Sequence, residues 1–142
     1  MLFKFLFPTK PEGAYASTLL LVARVVFGLL LMSHGIQKWT NFQELSASFP
    51  DPLGVGSSFS LVLAIFGELA CSAAFIVGFL YRLSMIPMIF TMCVAFFVIH
   101  GGDAFSVKEL PFAYLILFIL LYLAGPGKYS VDHWLAKFIR KK

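Results

Sequence analysis

Four long apolar runs separated by short polar stretches set the pattern of this chain. They extend from about Ala14 to Trp39, Phe59 to Leu80, Leu83 to His100 and about Val107 to Ala124, against roughly 20 residues needed to cross a bilayer. Backbone groups in lipid must pair within their own segment, so each run is predicted to be a helix. The last two are slightly short and are expected to begin in the interface. Pro87 falls in the first turns of the third run and Pro111 near the start of the fourth, where a missing N–H costs least.

Two amphipathic pieces flank these runs. After the breaker Gly125-Pro126-Gly127, Ser130 suits an N-cap and Asp132 a first turn, and Val131, Trp134, Leu135, Phe138 and Ile139 recur at helical spacing. This predicts an interfacial helix over about 130–140 with Trp134 at headgroup depth. Between the first two runs, Asn41 with Glu44 resembles a capping box, and Phe42, Leu45 and Phe49 form an apolar stripe before Pro50-Asp51-Pro52 and Gly54-Val55-Gly56. That loop is expected either to fold back as a lid over the helix ends or to serve as an ordinary interfacial connection.

Composition fixes the class. Of 142 residues, 60% are hydrophobic and 13% charged, which excludes a soluble domain and leaves room for one small bundle over residues 1–142. The expected fold is an all-α membrane protein, a four-transmembrane-helix bundle with a short amphipathic C-terminal helix. Lys4, Lys10, Arg82, Lys128, Lys137, Arg140, Lys141 and Lys142 fall on one side and only Lys38 and Lys108 on the other, so both termini are expected in the cytoplasm of a multi-pass inner-membrane protein. The excess of positive charge then reflects topology and contact with the lipid bilayer rather than nucleic-acid binding. A cleaved signal peptide is disfavoured, because the first run is long and carries Arg24. Met1 to Phe7, alternating Leu and Phe around Lys4, is expected to lie on the interface as an anchor.

Arg24 and Glu68 sit inside membrane-length runs, where a charge costs roughly 2.5–3.5 kcal/mol on insertion scales. Counting about 1.5 Å per residue from the cytoplasmic helix ends puts them at similar depth, about 14 and 18 Å. A buried salt bridge between them is therefore expected, lining a cleft between the first two helices, with a role either in ligand contact or in fixing helix register. Arg24, Gly28, His34, Gly35 and Lys38 share one face of the first helix. Gly28 and Gly35 would let a neighbouring helix or a ligand approach closely.

His34 and His100 should lie near the outer end with Lys38 and Asp103. Such a cluster could serve a proton relay, polar contacts to a quinone carbonyl or, least favoured, ligation of a haem iron, and it could equally just hydrogen-bond loops and headgroups. Cys71 and Cys93 form no Cys-x-x-Cys unit and read as packing residues. No Cys/His set at metal spacing, phosphate-binding Gly loop or nucleophile elbow is present, so no metal site is assigned.

The ordered features Arg24 and Gly28, His34-Gly35 with Lys38, Gly67-Glu68, Gly78 with Arg82, and Gly125-Pro126-Gly127-Lys128 with Ser130 and Asp132 resemble the DoxX family over nearly the whole chain. The resemblance implies a four-helix membrane bundle, and some members are subunits of terminal quinol oxidase or thiosulfate:quinone oxidoreductase systems. It points to Arg24, Lys38, Glu68 and Arg82, with Gly125-Pro126-Gly127 as a structural stop. Arg82 would anchor the short cytoplasmic turn, and Lys38 and His34 would contact a ligand at the outer mouth.

The leading expectation is an accessory subunit that binds a quinone or similar apolar ligand in a cleft lined by Phe27, Phe66, Phe75 and Phe96. It would work beside a redox-enzyme partner, without a catalytic metal of its own. A scaffold docking a peripheral partner through its basic C-terminal helix and a small proton-coupled transporter using Glu68 are the alternatives. A homo-oligomer is compatible with all three.

Overall fold

In a computed structural model that describes residues 13–140, six helices follow one another. They are α1 (Ala14–Thr40), α2 (Phe42–Leu45), α3 (Ser57–Val77), α4 (Tyr81–Ile99), α5 (Phe105–Ala124) and α6 (Val131–Arg140). The expected anchor Met1 to Phe7 lies outside the described residues. The helices α1, α3, α4 and α5 are each long and apolar enough to cross a membrane. Successive spans pack as neighbours, and their number places the two ends of the described chain at the same end of the bundle. That end, where α6 lies, is called here the tail end; the loop over 41–56 and the turn over 100–104 occupy the opposite, lid end.

Close approach of α1 to α3 depends on two glycines. A Cβ on Gly35 would lie 2.8 Å from the backbone N of Leu69, and one on Gly28 would collide with Ile76. Gly35 thus lets the α1 backbone meet that of α3 and Gly28 makes room for the Ile76 side chain, which is how helices associate when lipid removes the hydrophobic drive. The core draws Leu31 from α1, Cys71 and Phe75 from α3, Tyr81, Met85, Met88 and Met92 from α4, and Tyr114, Leu115, Phe118 and Leu121 from α5. Phe75 stacks on Tyr81 and meets Phe118 edge-on.

Among the described residues, two segments depart from α geometry. Phe66–Ala70 in α3 and Val94–Ile99 in α4 are π-helical, with the His100 N–H reaching the Ala95 carbonyl five residues back at 3.0 Å. Segments of this kind are rare and concentrate at functional sites. Pro87 and Pro111 are each the seventh residue of their helices, α4 and α5, at the end of the second turn.

α3 ends at Gly78, whose φ of +71° is left-handed, and the Phe79 N–H returns to the Ala74 carbonyl at 2.9 Å. This left-handed stop explains why α3 closes before the predicted Leu80. The predicted capping box is corrected: Asn41 ends α1 instead, its side-chain amide donating to the Gln37 carbonyl at 2.9 Å, and makes no side-chain cap for α2. Ser130 does cap α6, accepting from the His133 N–H at 3.2 Å.

Candidate functional site

The expected Arg24–Glu68 salt bridge does not form, and the glycine contacts explain why. Gly28 faces Ile76 and Gly35 faces Leu69; extending this antiparallel register sets Arg24 level with Leu80 and Glu68 level with Ile36. Twelve residues of helix, ~18 Å, separate the two levels. Counting depth from the ends of the apolar runs treated those ends as flush, whereas the start of α1 runs past the end of α3 and packs on the Gly125–Tyr129 loop. There Gly127 lies against Ser17 and Leu20, and the Lys128 N–H donates to Ser17 Oγ at 3.3 Å.

Arg24 is 1% exposed and serves the tail end. Its Nε donates to the Phe75 carbonyl at 3.2 Å, one terminal nitrogen to the Ile76 carbonyl at 2.8 Å, and the other to the Pro126 and Tyr129 carbonyls. The first two oxygens belong to the last turn of α3, where the helix dipole is negative; the Phe75 oxygen also accepts from the Gly78 N–H at 3.1 Å. Asp132 completes the arrangement. Its carboxylate accepts from the Leu80 and Tyr81 N–H groups at 2.8 Å each, the start of α4, while its own N–H donates to the Gly78 carbonyl at 2.9 Å. Burial pushes the Asp132 carboxyl up, against the lowering pull of those two N–H groups and the Arg24 charge. Arg24, Gly125, Pro126 and Gly127 thus form one structural knot. Arg82, in the first turn of α4, lies over the Tyr122 ring of α5 at 5.6 Å.

Glu68 pairs instead with Lys38, Nζ to Oε2 at 2.6 Å. The pair lies on the wall of a cavity of about 570 Å³ between α3 and α4, beneath the 49–53 loop, within the range typical of ligand sites. Phe66, Ile86, Pro87 and Phe90 form apolar walls, Phe49, Pro50, Pro52 and Leu53 roof it, and His100 stands at the lid end. Both π-helical segments contribute to the lining: Phe66 and Glu68 from one, Val94, Ala95 and Ile99 from the other. Gly67 turns toward α4, where a Cβ would lie 2.6 Å from Thr91 Oγ1.

The roof is latched by Asp51. Its carboxylate accepts from Ser60 Oγ at 2.7 Å and from the Val55 and Gly56 N–H groups at 3.0 and 2.7 Å, and these bonds hold its pKa below the usual value. The lid expectation is therefore realised by Phe49 to Leu53, whereas Phe42 and Leu45 do not line the cavity.

The two histidines part company. His100 Nδ1 lies 2.8 Å from Asp103 Oδ2, while His34 meets the Tyr114 ring edge-on at 6.5 Å and is absent from the cavity lining. Of the expected site residues, Lys38, Glu68 and His100 share one cavity; Arg24 and His34 do not join them. The cleft itself is corrected from between α1 and α3 to between α3 and α4. Phe66 alone of the four expected phenylalanines lines it: Phe75 is core, Phe27 packs against the core, and Phe96 meets Phe97, Phe112 and Lys108. Sequence reasoning missed Ser60, Phe90 and Thr91. No residue type at those positions signals a site; the packing of α3 against α4 brings them together.

A profile of the family described as DoxX matches residues 19–101, the stretch that holds Lys38, Glu68 and His100. The chain is 33% identical over 122 residues to the inner membrane protein YqjF of Escherichia coli, covering 82% of this chain and 92% of that protein. It is 26% identical over 136 residues to a Haemophilus influenzae protein described as uncharacterized, covering 90% of each. No solved structure matches it.

Proposed function

The chain belongs to the DoxX family of small integral membrane proteins, and from that premise we propose that it is an inner-membrane accessory protein holding a quinone, or a similar lipid-soluble ring compound, between α3 and α4. The observation that carries this reading is the Lys38–Glu68 pair on the wall of a mostly apolar cavity of about 570 Å³. An ammonium has three N–H donors, and Glu68 takes one. The others can donate to a ring carbonyl, and the second Glu68 oxygen can accept from a ring hydroxyl. Apolar walls with few convergent polar groups suit such a ligand. The similarity to an inner membrane protein and the basic residues around the tail end support an orientation with both termini in the cytoplasm. The ligand would then be held in the outer half of the membrane, for use by a redox partner.

The test is to purify the protein in mild detergent, extract it with organic solvent and identify the extracted small molecules by mass spectrometry, with a Lys38→Gln, Glu68→Gln double variant beside it. A quinone near one per chain, lost in the variant, is the expected result. Phospholipid alone in both samples would end the quinone reading and favour a scaffold.

A further inference from the structure

The cavity is not sealed on all sides, and the exposure of the residues that line it bears on how it fills. Leu63 and Phe66 on α3, and Ile86 and Phe90 on α4, line it while remaining 39%, 53%, 48% and 53% exposed. All four lie on helices long and apolar enough to cross a membrane, so the part of their exposed surface that faces away from the bundle would face lipid rather than water. Toward the aqueous lid end the picture reverses. Phe49, Pro50, Pro52 and Leu53 cover the cavity, and the Asp51 latch and the Ser58 hydroxyl, which donates to the Ser46 carbonyl at 3.1 Å, tie that loop to the start of α3.

Lys38 on the cavity wall is matched by Glu68 at 2.6 Å, and His100 Nδ1 lies 2.8 Å from the Asp103 carboxylate. An anionic head would have to displace Glu68 from Lys38 or sit within its repulsive field, and leaving a buried carboxylate without its cation is strongly unfavourable. A neutral head bearing a carbonyl or hydroxyl faces neither obstacle.

We propose that the pocket fills sideways from the bilayer through the gap between Leu63, Phe66, Ile86 and Phe90, and that its occupant is a neutral amphiphile whose head contacts Lys38–Glu68 while its chain stays in lipid. This deepens the ligand-site reading given above and rests on it. The head group and the route are separable, and so are their tests.

The full-length protein is reconstituted in phosphatidylcholine nanodiscs and photolabelled with three decyl-chain diazirine probes carrying a benzoquinone, a glycerol monoester or a phosphate monoester head. At least one neutral head is expected to label the segments around 63–66 and 86–90, and the phosphate head to label them at least tenfold less. Ala64→Trp, at a half-buried lining position, is expected to cut labelling at least tenfold, with Ala95→Trp as a second blocking variant should the first not elute as a folded species. Free benzoquinone without a chain is expected to compete at least a hundredfold more weakly than its decyl form.

Equal labelling by the phosphate head would overturn the neutral-head assignment. Labelling confined to the lid loop, labelling unmoved by the blocking variants, or equal competition by the chain-free head would overturn entry from lipid. Labelling by the glycerol head but not the benzoquinone head would retire the quinone reading and leave this inference standing.

Discussion

Replacing Arg24 by Met removes a guanidinium that donates to the Phe75, Ile76, Pro126 and Tyr129 carbonyls while roughly keeping the buried volume. A net contribution of about 1 kcal/mol per bond gives about 4 kcal/mol for four. This agrees with the roughly 3–5 kcal/mol lost when one side of a buried ionic arrangement is deleted; Asp132 is the charge left behind. Glu68→Gln keeps an oxygen able to accept from Lys38 and should cost about 1 kcal/mol or less. The assay is denaturant or SDS titration of purified protein followed by circular dichroism, extended to a double-mutant cycle. Arg24 and Glu68 substitutions should add within about 0.5 kcal/mol, and Lys38 and Glu68 substitutions should not. Arg24→Lys should recover only part of the loss, since one ammonium cannot span carbonyls on two separate segments. The reasoning fails if Arg24→Met proves no costlier than Glu68→Gln, or if the two are strongly coupled.

Three further outcomes follow from the same contacts. Gly35→Ala would place a Cβ 2.8 Å from the Leu69 backbone N, and forcing the helices apart should destabilise by about 1–3 kcal/mol in the same titration. Asp132→Ala removes the acceptor for the Leu80 and Tyr81 N–H groups; a loss of about 0.5–2 kcal/mol is expected, together with faster tryptic cleavage after Lys137 as α6 loosens. Asp51 has a lowered pKa in the folded state, so its latch is fully effective above the ordinary carboxylate range and weakens as pH falls through and below about 4. Amide exchange at Val55 and Gly56, corrected for intrinsic rates, should accelerate there, and Asp51→Ala should abolish the step.

Much of the fold was legible because lipid makes hydropathy a strict constraint: an unpaired backbone cannot sit in hydrocarbon, so each apolar run had to be a helix. The ends were less legible, since α3 closes at the left-handed Gly78 although its apolar character continues to Leu80. Lys38, Glu68 and His100 stood out as polar residues in apolar runs. Their grouping was not readable, because it depends on how α1 slides along α3, which Gly28 and Gly35 decide through contacts with residues about forty positions away. Arg24 shows the same gap: a charge in a membrane span announces that it needs partners, but backbone carbonyls carry no letter in the sequence. A lid was one of two readings of the stripe and prolines, yet of the stripe only Phe49 roofs the cavity, and the rest of the roof, Pro50, Pro52 and Leu53, follows it.

The turn between α3 and α4 has a mechanical consequence. It contains two left-handed residues, Gly78 and Leu80, and the second, strained for a residue with a Cβ, keeps that conformation with its N–H fastened to Asp132 at 2.8 Å. The two walls of the cavity are therefore the arms of a tweezer whose pivot is clamped by α6 and Arg24. With the pivot fixed, any widening between the arms grows with distance from it and is greatest at the far tips, beside Ser60 and His100. A force on α6 acts on the pivot itself, and reaches the grip through the stiffness of two helices.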